Sequence, residues 1–510
     1  MAATARFGSF ACAMALAGLA MFGCGAGSDD EGESSEPPIE FETPPTTCEV
    51  PDLPAPLARD SVVGDGTSES CTADELRAAL SEGGNVTFDC GEDPVTIDVA
   101  DEITVSADAI VDGGGRVTLD GGGVSRILHT EARVELTVIG LRFERGHAAE
   151  TEDALGSGGG IRVGWLGRLS VFDCEFTDND AALEGIEGGG AIYQSNGGSL
   201  VVVRSTFTRN RAVSGGAIDN LLSELTIVNS TFVDNEAIAG GGAVYDDGAS
   251  EDTDDDVGGT ISICGSRFEG NTTLGTGGAV YLYAYYPDRF IINQCSFVGN
   301  SVERPPDESA LGGALRTGHA PLQLSNSLFS GNHADVHGGA YWTDGAYPVT
   351  IDNCTFYRND AGVEGEEGGY GGALSGFNMQ LSNLTFVENH AEFSGGAISS
   401  EGEEFTLNNC VFLNNTSSNP WGQGQTCVHE IPGQHNLQWP APEDSDSLCS
   451  SDAAVADPVL GELSDNGGPT LSIPLLEGSP ARDAGDGCSE FDQRGEPRQG
   501  ACDLGAFEAQ

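Results

Sequence analysis

One unit recurs along the middle of the chain and constrains its fold more than any other feature. It consists of Phe-x-x-Asn, a polar interval, and then Gly-Gly-Ala with an apolar residue after it. Gly-Gly-Ala follows the first eight copies, beginning at Gly189, Gly215, Gly241, Gly277, Gly312, Gly338, Gly371 and Gly395. The copies are about 29.5 residues apart on average, a period typical of stacked repeats. The nine Phe-x-x-Asn pairs are Phe176/Asn179, Phe207/Asn210, Phe232/Asn235, Phe268/Asn271, Phe297/Asn300, Phe329/Asn332, Phe356/Asn359, Phe386/Asn389 and Phe412/Asn415.

Apolar residues alternate within each unit, for example at Leu225 and Ile227 and then at Phe232. This period of two indicates a strand with one buried face. Helical repeats are excluded because no helical face is present, and a propeller blade would need roughly 40 to 50 residues. We therefore expect coils of three short parallel strands stacked at about 4.8 Å, each Phe lying over the next. Each Asn is expected at a corner with a left-handed backbone, its amide paired with the neighbouring coil.

The charge of the chain excludes two classes of partner. Its 80 acidic residues outnumber 21 basic ones, which gives a formal net charge of −59. A field of this sign repels nucleic acid and anionic membrane surfaces, so neither is expected as a partner. Every basic residue is Arg, which excludes lysine Schiff-base chemistry.

The two ends of the chain differ from the repeats. Residues 1–23 have the short basic start and apolar stretch of an export signal, and residues 24–59 are acidic and rich in Ser and Pro, which favours a disordered tether. The sequence places the stacked coils at 60–415 and a separate C-terminal region at 416–510. Thr72 and Glu75 have capping-box spacing ahead of Leu76 and Leu80, which predicts a short helix covering the first coil.

Twelve cysteines follow Cys12 and Cys24, in a chain where export would favour disulfides. Three pairs are close in sequence and lie outside the regular repeats, so we expect them to form local disulfides: Cys71 with Cys90, Cys427 with Cys449, and Cys488 with Cys502. Four others stand two residues before a repeat Phe and are expected inside the stack as small buried filler: Cys174, Cys295, Cys354 and Cys410.

The repeats resemble those of polymorphic outer membrane proteins and of the wider group of right-handed parallel β-helix proteins, which includes the pectin lyase-like solenoids. The resemblance covers about residues 158–415. It implies an all-β fold, a right-handed single-stranded parallel β-helix. Met21-Phe22-Gly23-Cys24 resembles a bacterial lipoprotein signal, which implies lipidation at Cys24 and attachment to the outer membrane or cell surface through that lipid alone.

Several segments near the C-terminus resemble the choice-of-anchor Q region of secreted bacterial β-helix proteins. That region precedes interchangeable surface-sorting signals, so the resemblance also implies an exported, surface-displayed protein. Its motifs are Asp457-Pro458, Asp465-Asn-Gly-Gly-Pro-Thr470, Ser479-Pro-Ala-Arg-Asp-Ala-Gly485, Asp492-Gln-Arg-Gly495, Pro497-Arg498 and Asp503-Leu-Gly-Ala-Phe-Glu508.

Two segments carry residues of metal-ligand type. His333-Ala-Asp335-Val-His337 alternates as ligands do, but the slot after the repeat Asn accepts many residue types, which favours a solvated surface. The acidic insertion at 246–256 has carboxylates for loose Ca²⁺ binding but lacks EF-hand spacing. We expect no tightly bound cofactor.

One outward-facing column is a candidate binding site. The residue two places after the Ala of Gly-Gly-Ala should point to solvent, because the residue before it is apolar. Four consecutive members, Tyr245, Tyr281, Arg316 and Trp342, would expose aromatic faces and a guanidinium suited to a sugar chain. Tyr283, Tyr285 and Tyr286 would lie along the side of these four residues. The alternative is a ladder that only stabilises strand stacking. The whole column is Tyr193, Asp219, Tyr245, Tyr281, Arg316, Trp342, Ser375 and Ser399.

The sequence leaves two functions open. The first is a non-catalytic, lipid-tethered surface protein that acts as a spacer or adhesin and takes a polysaccharide or cell-surface glycan as partner. The second is a polysaccharide lyase or glycoside hydrolase on the same scaffold, since the β-helix group includes such enzymes. We find no acidic cluster with a partner Arg or His that would form a catalytic site, and we name no catalytic residue.

Overall fold

The computed structural model describes residues 47–149, 156–183, 188–250, 258–303, 310–402, 404–442 and 446–510. The signal at 1–23, Cys24 and the tether up to residue 46 lie outside the described residues. The described residues belong to the compact unit Phe41–Gln510 and form 47 strands, one α-helix and one 3₁₀-helix. The strands make three parallel sheets of 26, 11 and 10 strands, named here sheets A, B and C.

Sheet A contains two strands from most coils. Its members are Asp60–Val63, Gly84–Phe88, Val95–Asp98, Ala109–Asp120, Glu135–Glu144, Arg168–Phe172, Glu175–Thr177, Ser199–Val203, Thr206–Thr208, Glu224–Val228, Thr231–Val233, Thr260–Cys264, Arg267–Glu269, Arg289–Asn293, Ser296–Val298, Leu322–Ser325, Leu328–Ser330, Val349–Asp352, Thr355–Tyr357, Met379–Ser382, Thr385–Val387, Thr406–Asn408, Val411–Leu413, Gly433–Gln434, Leu437–Trp439 and Ala454–Val455.

Sheets B and C contain one strand from each coil. Sheet B consists of Ile103–Val105, Leu128–Thr130, Ile161–Val163, Ile192–Gln194, Ile218–Leu221, Val244–Asp247, Val280–Tyr283, Leu315–Gly318, Tyr341–Thr343, Leu374–Gly376 and Ile398–Ser400. Sheet C consists of His147–Ala148, Asp180–Ala181, Arg211–Ser214, Glu236–Gly240, Thr272–Thr273, Ser301–Val302, His333–Ala334, Asp360–Ala361, His390–Ala391 and Thr416–Ser417.

From Ile161–Val163 to Thr416–Ser417 the chain visits the sheets in a constant order, B, then A twice, then C. Strand Val244–Asp247 of sheet B pairs in parallel with Val280–Tyr283, one coil later. Each turn of the chain therefore lies on the previous one, and the fold is the expected right-handed parallel β-helix. A coil has four strand segments rather than three, because sheet A bends at a left-handed residue such as Asn229 (φ 51°).

The repeat phenylalanines form one continuous column inside the stack, as expected. Neighbouring ring centres are 4.6–5.1 Å apart and neighbouring planes are within 12° of parallel. Stacked aromatic pairs of this kind contribute about 0.5–1.5 kcal/mol each beyond burial. The column has one ring more than the repeats predicted, since Phe143 precedes Phe176. Its rings belong to Phe143, Phe176, Phe207, Phe232, Phe268, Phe297, Phe329, Phe356, Phe386 and Phe412.

The repeat asparagines form a buried amide ladder beside the rings. Each side-chain nitrogen donates to the Oδ1 atom of the next Asn at 2.8–3.0 Å. The expectation of a left-handed backbone at these asparagines is wrong, because the positive φ belongs to the residue before each one, such as Asp234 (φ 53°) before Asn235. The turn is thus made by an exposed residue, and the Asn side chain is left free to enter the core.

The Gly-Gly-Ala turn requires both glycines. Gly241 has φ +60°, which favours glycine, and a Cβ on Gly242 would lie 2.1 Å from the carbonyl oxygen of Gly278 in the next coil. The turn therefore allows neighbouring backbones to approach more closely than side chains permit.

The helix Ala73–Glu82 covers the first coil, as its capping-box spacing predicted. Thr72 accepts a hydrogen bond from the backbone nitrogen of Glu75 at 3.3 Å, and Leu76 and Leu80 are completely buried. The helix packs against strands at the start of the stack, including Ile103–Val105, and the short 3₁₀-helix Ser68–Ser70 precedes it. Among the described residues, no helix is long and apolar enough to cross a bilayer.

Four disulfides cross-link the described chain. Three join the pairs expected from their proximity in sequence, Cys71–Cys90, Cys427–Cys449 and Cys488–Cys502. The fourth, Cys48–Cys264, joins residues 216 positions apart and was not expected, because proximity in sequence cannot reveal it. Cys174, Cys295, Cys354 and Cys410 are buried free thiols, as expected, and burial raises the pKa of Cys174, Cys295 and Cys410 to about 12.

Residues 48–57 form a strap along the stack, where the sequence had suggested the end of a disordered tether. The strap is held by the Cys48–Cys264 disulfide at one end and by a hydrogen bond from Leu57 to Asn85 (2.9 Å) at the other. These two attachment points are six coils apart, about 29 Å, and nine residues of extended chain span about 30 Å. The strap is therefore almost fully extended, and its disulfide attaches it at the coil of Cys264, in the middle of the stack.

Strand pairing continues past the predicted boundary at residue 415. Thr416–Ser417 extends sheet C, and three further strands extend sheet A: Gly433–Gln434, Leu437–Trp439 and Ala454–Val455. The sequence pattern misses this extension because Gln438 occupies the register position of the repeat Phe, opposite Phe412.

The choice-of-anchor-like motifs lie in the segment that follows, which packs on the outer side of sheet A. Arg494 pairs with Asp492 at 2.7 Å and Arg498 with Glu508 at 3.4 Å, all with side chains at most 8% exposed. Gln493 accepts a hydrogen bond from the hydroxyl of Thr355 at 2.6 Å. In this chain those motif residues form the polar core that joins the C-terminal segment to the stack.

Candidate functional site

Four neighbouring strands of sheet B position the candidate residues. Tyr245, Tyr281, Arg316 and Trp342 are direct register partners on Val244–Asp247, Val280–Tyr283, Leu315–Gly318 and Tyr341–Thr343. Apolar neighbours hold these strands in place, since the preceding residues Val244, Val280, Leu315 and Tyr341 are completely buried. The four side chains therefore lie in one line, named here the strip, as their spacing predicted.

Contacts within the strip are continuous. The rings of Tyr245 and Tyr281 stack 4.7 Å apart at an interplanar angle of 1°. The guanidinium carbon of Arg316 lies 4.4 Å from the ring centre of Tyr281 and 5.2 Å from that of Trp342. Arg316 is thus held between two aromatic faces, a favourable cation–π geometry.

The strip is less exposed than the sequence suggested. All four of its side chains are half-buried, and the other members of the column, Tyr193, Asp219, Ser375 and Ser399, are buried outright. The expectation that the column points to solvent is therefore wrong for Tyr193, Asp219, Ser375 and Ser399.

The turn between sheets C and B explains this burial. Asp219 accepts a hydrogen bond from the backbone nitrogen of Gly188 at 2.8 Å, in the turn of the preceding coil. It also accepts one from the hydroxyl of Ser214 at 2.7 Å, at the end of the sheet C strand that leads into its own turn. At the next coil the equivalent residue is Gly240, and a Cβ there would contact the Tyr245 ring at 3.5 Å. The turn therefore flanks the strip on one side, and small residues in it leave the rings accessible.

A rim of polar and aromatic groups flanks the other side of the strip. Tyr285 donates a hydrogen bond to Asp247 at 2.9 Å, and its ring meets that of Tyr283 edge to face at 5.5 Å. His319 lies 4.8 Å from Tyr283 and 3.0 Å from the carboxylate of Asp344.

Tyr283, Tyr285 and Tyr286 therefore lie beside the strip, as the sequence suggested. Tyr286 stacks on Tyr347 at 5.6 Å. The rim combines aromatic surfaces with carboxylates that can accept hydrogen bonds.

Burial controls the ionisation of this surface. It raises the pKa of Tyr245 and Tyr281 further above neutral pH, and both hydroxyls are therefore protonated hydrogen-bond donors under ordinary conditions. Burial also raises the pKa of Asp247 above its ordinary value. Arg316 has no carboxylate partner among the described residues, and its Nε atom is buried without a hydrogen-bond partner.

A second line of rings was not singled out from the sequence. It comprises His337, Tyr370, Phe393 and Trp421, which lie in or beside the turns that precede sheet B. One feature of the sequence could have revealed part of this line. The residue immediately before each Gly-Gly-Ala becomes aromatic down the stack, from Thr276 to Leu311, His337 and then Tyr370.

The residues of His333-Ala-Asp335-Val-His337 do not converge on one point. His333 contacts Asp360 at 2.9 Å and Asp335 at 2.8 Å, and the hydrogen bond to Asp360 is the main reason that its pKa is raised. His337 instead stacks on Tyr370 at 5.2 Å. Within the described ranges, no group of three or more His, Cys, Asp or Glu residues is arranged to hold a metal ion.

The acidic insertion at 246–256 begins inside the stack and not in a surface loop. Asp246 points into the stack, is completely buried, and accepts a hydrogen bond from Asn220 at 2.6 Å. Asp247 accepts a hydrogen bond from the hydroxyl of Tyr285. The suggested Ca²⁺ ligands Asp246 and Asp247 are thus otherwise engaged, and residues 251–257 lie outside the described part of the chain.

Comparison with known proteins agrees with the fold. Residues 256–430 match a family described as the right handed beta helix region. The protein is a β-helix repeat protein. A search of curated proteins finds no match. The family match includes Tyr281, Arg316 and Trp342 and begins after Tyr245. The regular repeat of the β-helix places all four side chains in line.

The strip of this β-helix is chemically suited to one kind of contact. Flat apolar faces at intervals of one coil can stack against the faces of sugar rings, while tyrosine hydroxyls, a guanidinium and rim carboxylates can bond to sugar hydroxyls.

Proposed function

We propose that this protein is an exported, non-catalytic β-helix that acts as a surface spacer and binds glycan chains through the strip. The observation that carries the proposal is the position of Arg316 between Tyr281 and Trp342, at 4.4 and 5.2 Å from their ring centres. This arrangement immobilises three planar groups on a rigid sheet before any ligand arrives. Such preorganisation lowers the entropic cost of binding.

Three features support an extracellular location. The chain begins with a signal-like segment ending at Cys24, where a lipid would anchor the protein to the outer membrane or cell surface. The four disulfides are typical of proteins that fold outside the reducing cytosol. The resemblance to polymorphic outer membrane proteins and to the choice-of-anchor region points to the same location.

The attachment of Cys48 to Cys264, in the middle of the stack, fits a tethered spacer. In the proposed arrangement the lipid holds Cys24, and the segment up to Cys48 connects it to the coil of Cys264.

The binding proposal is tested by electrophoresis of the secreted domain through gels that contain neutral or acidic polysaccharides. The variant Tyr281→Ala/Trp342→Ala should lose retardation in a gel that retards the wild type, with binding weakened at least about tenfold. Trp165→Ala is the control, because Trp165 is exposed but lies on another coil, beneath Arg133. Equal mobility of wild type and variant in every gel would show that the strip only stabilises the stack.

The same polysaccharides, incubated with the protein and assayed for new reducing ends and for unsaturated products, test the catalytic alternative. Cleavage that survives in Tyr281→Ala/Trp342→Ala would contradict a purely binding role and place a reaction elsewhere on the β-helix.

A further inference from the structure

The second line of rings is continuous and reaches solvent. His337 and Tyr370 are 5.2 Å apart, Tyr370 and Phe393 are 4.9 Å apart, and Phe393 and Trp421 are 5.6 Å apart. Phe393 is 38% exposed and Trp421 is 64% exposed, more than a core role explains. These four residues are named here the second series.

The second series begins beside the end of the strip. Gly240, Thr276, Leu311, His337 and Tyr370 are successive bridge partners, so they form a column parallel to the strip. At the first of these coils a side chain at position 240 would touch the Tyr245 ring. The same register places His337 beside Trp342, where the strip gives way to the small residues Ser375 and Ser399. Aromatic surface therefore passes from one column to its neighbour without a missing coil.

The strip and the second series together form a long line of side chains, named here the track. From Tyr245 to Trp421 it crosses six coil-to-coil steps, which is about 29 Å along the stack. One coil step is comparable to one sugar unit of an extended chain, so the track offers a contact to each of several successive units.

The negative charge around the track favours an uncharged ligand over an anionic one. The protein has a formal net charge of −59, and carboxylates of Asp247, Asp344 and Glu392 lie beside or near the rings. Arg316 is the one cation within the strip. An anionic chain would be repelled along most of the track, whereas an uncharged chain could use the carboxylates as hydrogen-bond acceptors.

We propose that the strip and the second series form one continuous site for a single neutral polysaccharide chain that runs parallel to the axis of the β-helix. This inference rests on the proposed function and extends it to a ligand class, a direction and a length. Short fragments fill only the strip, and longer ones gain contacts with Tyr370, Phe393 and Trp421.

The test measures dissociation constants by calorimetry for fragments of about two to eight units, cut from the neutral polysaccharide that retards the wild type most. Affinity should rise with length until about six or seven units and then level off. Phe393→Ala/Trp421→Ala should weaken binding of the longest fragments about 5- to 100-fold and leave the shortest unchanged. Trp165→Ala serves as control, and circular dichroism checks that each variant is folded.

The outcomes separate the two proposals. If the wild type binds but affinity does not rise beyond three units, or if Phe393→Ala/Trp421→Ala binds long fragments normally, the continuous site is wrong and the strip alone is the binding site. Equal or tighter binding of oligogalacturonate fragments of the same length would overturn the neutral ligand class. Absence of any binding by the wild type would overturn both proposals.

Discussion

The side-chain nitrogen of Asn220 donates a 2.6 Å hydrogen bond to Oδ1 of Asp246 inside the stack. Both residues are completely buried, and Oδ2 of Asp246 has no hydrogen-bond partner. A charged carboxylate in this position is poorly solvated, so burial raises its pKa well above the ordinary value, and the negative charges of Asp247 and Asp288 add to the effect.

This pair predicts an unusual dependence of stability on pH. Because the pKa of Asp246 is higher in the folded chain, its contribution to stability is complete below the unfolded pKa and is lost as pH rises from about 3.8 through the folded pKa. Asp246→Asn removes the charge and keeps an acceptor for Asn220, so it should stabilise the protein at pH 7 by about 1–3 kcal/mol and by less at pH 4.

Urea denaturation followed by circular dichroism at several pH values measures this difference. The exposed substitution Glu364→Gln is the matched control and should change stability little. A loss of stability in Asp246→Asn at pH 7 would contradict a buried, charge-intolerant carboxyl group.

Substitution of an asparagine in the middle of the amide ladder should lower the stability of the protein. Asn300 donates to Asn332 and to the carbonyl of Phe268, and its Oδ1 accepts two hydrogen bonds from Asn271. Asn300→Ala leaves buried donors and acceptors unpaired and should lower the free energy of unfolding by about 3–5 kcal/mol, measured by thermal or urea denaturation.

Asn179→Ala provides a graded comparison, because Oδ1 of Asn179 accepts a single hydrogen bond, from Gly146. It should cost clearly less than Asn300→Ala. Equal losses would mean that the side-chain volume matters rather than the ladder of hydrogen bonds.

The guanidinium of Arg316 should not be replaceable by an ammonium. A planar guanidinium stacks on Tyr281 and Trp342 at once, whereas the ammonium of Arg316→Lys is compact and strongly hydrated. We expect a loss of stability of about 1 kcal/mol and reduced retardation in the polysaccharide gel. Arg289→Lys, at an exposed residue bonded to Thr260, should change neither property.

The Cys48–Cys264 disulfide should hold the strap and little else. In Cys48→Ser/Cys264→Ser the amide of Leu57, which donates to Asn85, should exchange hydrogen faster in exchange mass spectrometry, because the strap is mostly exposed and keeps few other contacts. Exchange in the core strands should be unchanged. Faster exchange throughout the coils near Cys264 would show that the bond also stabilises the stack.

The repeat allowed much of the fold to be predicted from the sequence. A fixed spacing of Phe, Asn and Gly-Gly-Ala predicted that equivalent side chains stack, and Phe268 and Phe297 do so at 5.0 Å. The three local disulfides and the helix cap at Thr72 also followed from local spacing. The coils after residue 415 escaped this reasoning because Gln438 breaks the pattern while the backbone pairing continues.

The linear order of the strip was determined by the sequence alone, since register in a stack follows directly from equal spacing in each repeat. Its partial burial, the guanidinium held between two rings, and the second series beside it were decided by the tertiary structure. Those features depend on which turns fold over sheet B and on which coils have side chains small enough to leave a face open. The Cys48–Cys264 bond is of the same kind, because two residues 216 positions apart meet only once the intervening coils are stacked.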